Sequence, residues 1–140
     1  MILPDLVLEK FKSVLLIDDD DLVNSMNMVM INRARFAEKV IAKNSVTEAL
    51  SFLQKSSERE NLPEMIFLDL NMPYKDGWDF MDEFKKIDHK SHTKVVMLTS
   101  YISIKDEKRA KSMEEIVAYI PKLLSPELLH QIHLKALGVD

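Results

Sequence analysis

Asp18-Asp19-Asp20-Asp21 follow directly on an apolar run, Val14-Leu15-Leu16-Ile17, and a further aspartate, Asp69, closes a second run, Met65-Ile66-Phe67-Leu68. Thr99 ends a third such run and Lys122 comes just after a fourth. Carboxylates brought within a few ångströms repel one another, so several remain ionised together only where a cation neutralises them or a pKa rises. Mg²⁺ meets that need, because it is a hard ion that takes oxygen ligands, usually one or two carboxylates together with waters and phosphate oxygens. Asp19 and Asp69 suit direct coordination, Asp18 coordination through water, and the backbone carbonyl of Asn71 a further oxygen. Three aspartates contribute −3, the ion +2 and Lys122 +1, so such a site is neutral and can tolerate a phosphoryl group arriving at Asp69.

The elements that must bring these residues together are legible as short apolar runs at 13–17, 39–42, 65–68, 95–98 and 116–120, separated by polar stretches with helical spacing. That alternation favours βα units and a parallel sheet over a sandwich or a bundle. The near-continuous apolar character of the first, third and fourth runs suits strands covered on both faces. In an open parallel sheet, ligands bind at the carboxyl ends of the strands, where all the candidate residues fall. Ser45 with Glu48 and Ser103 with Asp106 stand three apart, as in capping boxes. Ser125-Pro126-Glu127 starts a last helix expected to run to about Leu137, before Gly138. Pro121 lacks an N–H and is tolerated at a sheet edge, where the fifth strand should lie.

Other residues have plainer readings. Asp20 or Asp21 serves as a helix N-cap, and Met72-Pro73 with Asp76-Gly77 forms a turn. Met26 and Met30, four apart in a methionine-rich first helix, read as core filling, and Trp78 as packing against the sheet near Gly77. The charged stretch 105–111 keeps few apolar anchors beyond Ile104, Ala110 and Met113, and reads as a solvated helix face. His89 with His92 and His130 with His133 are each three apart; two histidines make a poor zinc site, so all four are expected exposed and non-ligating.

The 140 residues suit a single domain. With 46% hydrophobic and 30% charged residues the chain can bury a core and solvate a surface. Its 19 basic and 23 acidic residues give a formal charge of −4, which argues against non-specific binding to nucleic acid or an anionic membrane. No cysteine is present, so disulfides and cysteine-ligated metal sites are excluded. The start of the chain lacks a secretory pattern and no apolar run approaches the ~20 residues of a membrane span. Only Gly77 and Gly138 are glycine, so neither a Walker loop nor a GxGxxG fingerprint can be written.

The acidic pair Asp18-Asp19 after Val-Leu-Leu-Ile, the run Leu68-Asp69-Leu70-Asn71-Met72-Pro73 with Asp76-Gly77, Thr99, and Tyr119 three residues before Lys122 together resemble the receiver domain of bacterial two-component response regulators. The resemblance covers a core of about 13–137, with 1–12 as an N-terminal extension, and implies a stand-alone domain over 1–140. The fold it implies is a flavodoxin-like, doubly wound (βα)5 three-layer α/β sandwich with five parallel strands in the order 2-1-3-4-5. By position it makes Asp69 the phosphoacceptor, Asp18, Asp19, Asp69 and the Asn71 carbonyl the Mg²⁺ site, and Lys122 and Thr99 the partners of the phosphoryl group. Thr99 and Tyr119 become a conformational switch. The partners implied are a histidine kinase or histidine phosphotransfer protein upstream and a protein target on the face of the fourth helix, fifth strand and fifth helix, all in the cytoplasm. No nucleic-acid or membrane partner and no enzymatic turnover beyond self-phosphorylation and self-dephosphorylation are expected.

One departure stands out: receiver domains usually follow the lysine with a proline in a cis peptide bond, whereas Leu123 follows Lys122 and Pro121 precedes it. A cis bond without proline costs ~2.5–4 kcal/mol, so a trans bond or a rearranged loop is expected. That departure also suggests an alternative, a receiver-like scaffold that is never phosphorylated. A Mg²⁺-dependent phosphohydrolase of the haloacid-dehalogenase kind would carry a second acid two positions after the nucleophile, where Asn71 stands. A flavodoxin-like cofactor protein would need hydroxyls and glycine in place of Asp18 to Asp21.

Overall fold

The computed structural model describes residues 8–87 and 92–138; His89 lies outside them. Five strands alternate with five helices: β1 (Phe11–Ile17), α1 (Asp21–Arg33), β2 (Ala37–Lys43), α2 (Val46–Glu58), β3 (Met65–Asp69), α3 (Gly77–Phe84), β4 (Lys94–Thr99), α4 (Ile104–Lys111), β5 (Ile116–Pro121) and α5 (Pro126–Ala136). All neighbouring strands pair in parallel, in the order β2-β1-β3-β4-β5. Each of the five apolar runs is a strand, lengthened by one to three residues that the ladder recruits.

Because side chains alternate across a strand, β1 sends Leu15 and Ile17 to one face and Val14 and Leu16 to the other; β3 and β4 divide in the same way. Helices α2, α3 and α4 cover the first face, with Leu53, Met81, Phe84 and Ala110 against the sheet. Helices α1 and α5 cover the second, through Ile31, Leu129 and Ile132. The three central strands are thereby dry on both sides, which is why they read as unbroken apolar runs. Pro121 ends β5 at the sheet edge and is exposed, as a residue without an N–H requires.

Several sequence expectations need correction. Ser45 and Ser103 each accept a hydrogen bond from the backbone N–H three residues on, but neither box is closed; the reciprocal box is Asp76 with Asp79 at the start of α3. Met26 is 43% exposed, because the inward stripe of α1 is Asn24, Asn27 and Ile31; Met28 and Met30 lie at its margin, partly buried. Ile104 anchors nothing at 75% exposure. Instead α4 is tied by Trp78, whose indole N–H donates to Asp106 Oδ1 at 3.2 Å while the Arg109 guanidinium lies 4.2 Å above its ring. His133, expected exposed, is buried beside the rings of Phe11 and Phe36, and burial pushes its pKa down. Helix α5, by contrast, ends where expected, at Ala136 with Leu137 as its cap, and Gly138 follows with a φ of 81° that favours glycine. Among the described residues no helix is long and apolar enough to cross a membrane.

Candidate functional site

The acidic run divides by role. Asp18, one residue beyond β1, is buried, and its Oδ1 accepts from the Asp20 N–H at 2.9 Å. Asp20 is the N-cap of α1, accepting from the N–H groups of Leu22 and Val23, and Asp21 lies in the first turn, where a negative charge complements the helix dipole. Asp19 is exposed. Asp69, the last residue of β3, is fully buried. Since β1 and β3 are neighbours and the strand order reverses between them, Asp18 and Asp69 meet at the switch point where open α/β sheets bind ligands.

Asp18, Asp19 and Asp69 each offer one oxygen, and these oxygens lie within 4.8 Å of one another. Lys122, just past β5, reaches across to them: its Nζ is 3.2 Å from Asp69 Oδ2 and 3.3 Å from Asp18 Oδ2. Thus Leu123 in place of proline does not keep the lysine away, and among the described residues every peptide bond is trans. The two Oδ2 atoms are buried and receive no hydrogen bond of good geometry. Buried oxygens with unused lone pairs in a three-carboxylate cluster fit a hard divalent cation.

Burial pushes the Asp69 pKa up to about 7, reinforced by the charge of Asp18 and opposed by the Asn71 N–H and Lys122. Burial likewise raises Asp18, against the Asp20 N–H and Lys122. For Lys122, burial acts downward, but the carboxylates of Asp69 and Asp18 outweigh it and leave the ammonium more firmly protonated than usual. The pocket therefore holds a fixed cation and a buried carboxyl group that a second cation would ionise fully.

The remaining candidates sit around this centre. The Asn71 N–H donates to Asp69 Oδ1 at 3.0 Å and its side chain is exposed. Thr99 Oγ1 lies 2.7 Å from the Tyr101 carbonyl and 3.3 Å from Asn71 Oδ1, so its hydroxyl is engaged with the loop after β4. Tyr119 packs partly against the α2–α3–α4 side of the core, and its hydroxyl accepts from the Ser103 N–H at 3.1 Å, at the N-cap of α4. Reading the sequence alone missed two residues here. Asn24 donates to the Asp18 carbonyl at 3.0 Å, and Asn27 bonds the main chain on both sides of Leu123. The available signal was polar residues three apart on a helix that must bury one face.

Gly77 matters through space rather than conformation. A Cβ there would stand 2.9 Å from Leu70 Cα and 3.1 Å from the Asp69 carbonyl oxygen, so only glycine lets α3 start directly against the chain leaving Asp69.

The model of the response regulator receiver domain matches residues 14–133. Response regulator Rcp1 of Synechocystis is 31% identical over 91 residues, which cover 64% of this chain and 62% of that protein. The probable methanogenesis regulatory protein FilR2 of Methanothrix harundinacea is 29% identical over 81% of this chain and 74% of its own length. The crystal structure of a two-component response regulator from Cytophaga hutchinsonii superposes with a TM-score of 0.87 at 31% identity, covering 93% of this chain and 99% of that one. A sheet in this order, an acidic cluster at its switch point and a lysine reaching into that cluster are thus found in a sequence that matches one family over most of its length: the chain belongs to the response regulator receiver domains.

Proposed function

We propose that this receiver domain is a phosphoacceptor of a two-component relay, taking a phosphoryl group from a phosphohistidine partner onto Asp69. The observation that carries the reading is the buried Asp69 Oδ2, 3.2 Å from Lys122 Nζ and grouped with two further carboxylates at the sheet's switch point. An Asp69 oxygen attacks phosphorus, the phosphorus–nitrogen bond of the donor breaks, and its electron pair returns to the imidazole, which takes up a proton. Phosphoryl transfer of this kind depends mostly on positioning and on neutralising charge at the equatorial oxygens.

Asp18, Asp19, Asp69 and the Asn71 carbonyl would hold Mg²⁺, which supplies charge neutralisation for the incoming group. Lys122 already points its ammonium at the acceptor oxygen and supplies a second positive charge. Thr99 would leave the Tyr101 carbonyl to bind a phosphoryl oxygen, and Tyr119 would then lose its place against Ser103, altering the face of α4, β5 and α5 that a protein target reads. Turnover is confined to the loss of its own acyl phosphate, and the setting is the cytoplasm, alongside a histidine kinase or histidine phosphotransfer protein. Incubation with acetyl phosphate and Mg²⁺ is expected to add one phosphoryl mass to the intact protein and none to Asp69→Asn. Equal gain in both, or gain in neither, would overturn the assignment of Asp69.

A further inference from the structure

The turn between β5 and α5 carries Lys122, yet no strand ladder extends into it: β5 ends at Pro121, α5 begins at Pro126, and Leu123 between them is 57% exposed. The peptide groups on either side of Leu123 are held by one side chain from a helix almost a hundred residues earlier. Asn27 Oδ1 accepts from the Leu124 N–H at 3.1 Å, and Asn27 Nδ2 donates to the Lys122 carbonyl at 3.4 Å. Asn27 is itself only 2% exposed, on the inward stripe of α1. An amide buried there is costly unless both of its ends are paired, and both ends are spent on this turn.

Asn24, one turn earlier on α1, does the same for the opposite wall of the pocket, donating to the carbonyls of Asp18 at 3.0 Å and Lys43 at 3.3 Å. Helix α1 therefore grips the main chain of both Asp18 and Lys122, whose side chains meet at 3.3 Å. A lysine stem is flexible, so its ammonium is well placed only if its main chain is. We propose that Asn27 is the positioning residue for Lys122: by bridging the peptides around Leu123 it holds the ammonium between Asp18 and Asp69. The kinetic consequence rests on the phosphoacceptor reading; the placement of the lysine does not.

The test is a double-mutant cycle on the full chain with Asn27→Ala, Lys122→Ala and the double variant. With acetyl phosphate and Mg²⁺, Asn27→Ala should slow phosphorylation about tenfold and Lys122→Ala about a hundredfold, with the double variant no slower than Lys122→Ala alone. A double variant another tenfold slower, or an Asn27→Ala protein as fast as wild type, overturns the proposal. If the wild type takes no phosphoryl group the phosphoacceptor reading fails, and calorimetric titration with Mg²⁺ alone decides the inference. Removal of the ammonium should tighten Mg²⁺ binding about fivefold in Lys122→Ala and in the double variant alike, and its displacement in Asn27→Ala by a smaller factor; further tightening in the double variant beyond Lys122→Ala overturns it. Hydrogen exchange of the Leu124 amide, about tenfold faster in Asn27→Ala, reads the clamp without any ligand; unchanged protection overturns it. Should the alanine variant fail to fold, Asn27→Leu, of similar size and without either bond, takes its place in the same cycle.

Discussion

At the scale of single residues the site is governed by one carboxyl group. Asp69 is displaced upward to about 7 chiefly because burial disfavours its charge and Asp18 adds repulsion. On the proposed reading the metal takes the Asp69 carboxylate, so below that pH protons and Mg²⁺ would compete for the same oxygen. The apparent Mg²⁺ affinity is expected to fall about tenfold for each pH unit below 7, and to be nearly level above 8. Calorimetric titrations between pH 5.5 and 8.5 measure this. An affinity that is flat across the range would contradict proton competition at Asp69. Lys122 does not contribute to that slope, because its two carboxylates keep it protonated throughout.

At the scale of elements, the geometry of Asp69 depends on how α3 meets β3. The Gly77 N–H donates to the Leu70 carbonyl at 3.0 Å, so the start of the helix rests on the residue after Asp69. An added methyl would press on backbone atoms, which cannot rotate aside as a side chain could. Gly77→Ala is therefore expected to cost about 1–3 kcal/mol in urea denaturation and to weaken Mg²⁺ binding by displacing Asp69. Destabilisation with unaltered Mg²⁺ affinity would separate the helix start from the site. Helix α4 has a different character: it buries little beyond Ala110 and is tied at its edge by Trp78 to Asp106 and Arg109, and through its cap Ser103 to Tyr119. Few polar ties on a lightly buried helix suit an element that moves at modest cost.

At the scale of the whole molecule, burying Asp69 and Asp18 costs stability at neutral pH. The folded protein holds the Asp69 proton up to about pH 7, whereas the unfolded chain releases it near 3.8. Between those values the folded state binds more protons, so the contribution of this group to stability is present below 3.8 and lost as the pH rises to 7. In metal-free buffer Asp69→Asn is expected to match wild type near pH 4 and to be more stable at pH 7.5 by about 1–4 kcal/mol. Saturating Mg²⁺ should close that gap by binding the folded wild type alone. Thermal melts of both proteins with and without Mg²⁺ check the sign, and a wild type that stays level with Asp69→Asn in chelator at pH 7.5 contradicts it.

How far all this could be read from the chain itself follows from the range of the forces involved. Strand positions, the order of elements and the candidate acids were legible because apolar runs, proline, and carboxylates at strand ends are local signals with local causes. The stripe Asn24, Asn27 and Ile31 was not, since Leu22, Met26 and Val29 on the same helix have equally good spacing for a buried face and are exposed. For Asn27 it is the turn around Leu123, arriving from the other end of the chain, and for Asn24 the carbonyls of Asp18 and Lys43, that make asparagine the better residue to bury. The side of the sheet that Tyr119 takes was also invisible. The pairing of β4 with β5 slips between Val95 and Val96, so Ile116 and Tyr119, an odd number of residues apart, both face the α2–α3–α4 side. The sequence by itself determined which residues are able to do the chemistry, because residue type and strand ends are local properties. Tertiary structure alone decided which groups meet, because a bulge between strands or a bridging amide acts only between segments distant along the chain.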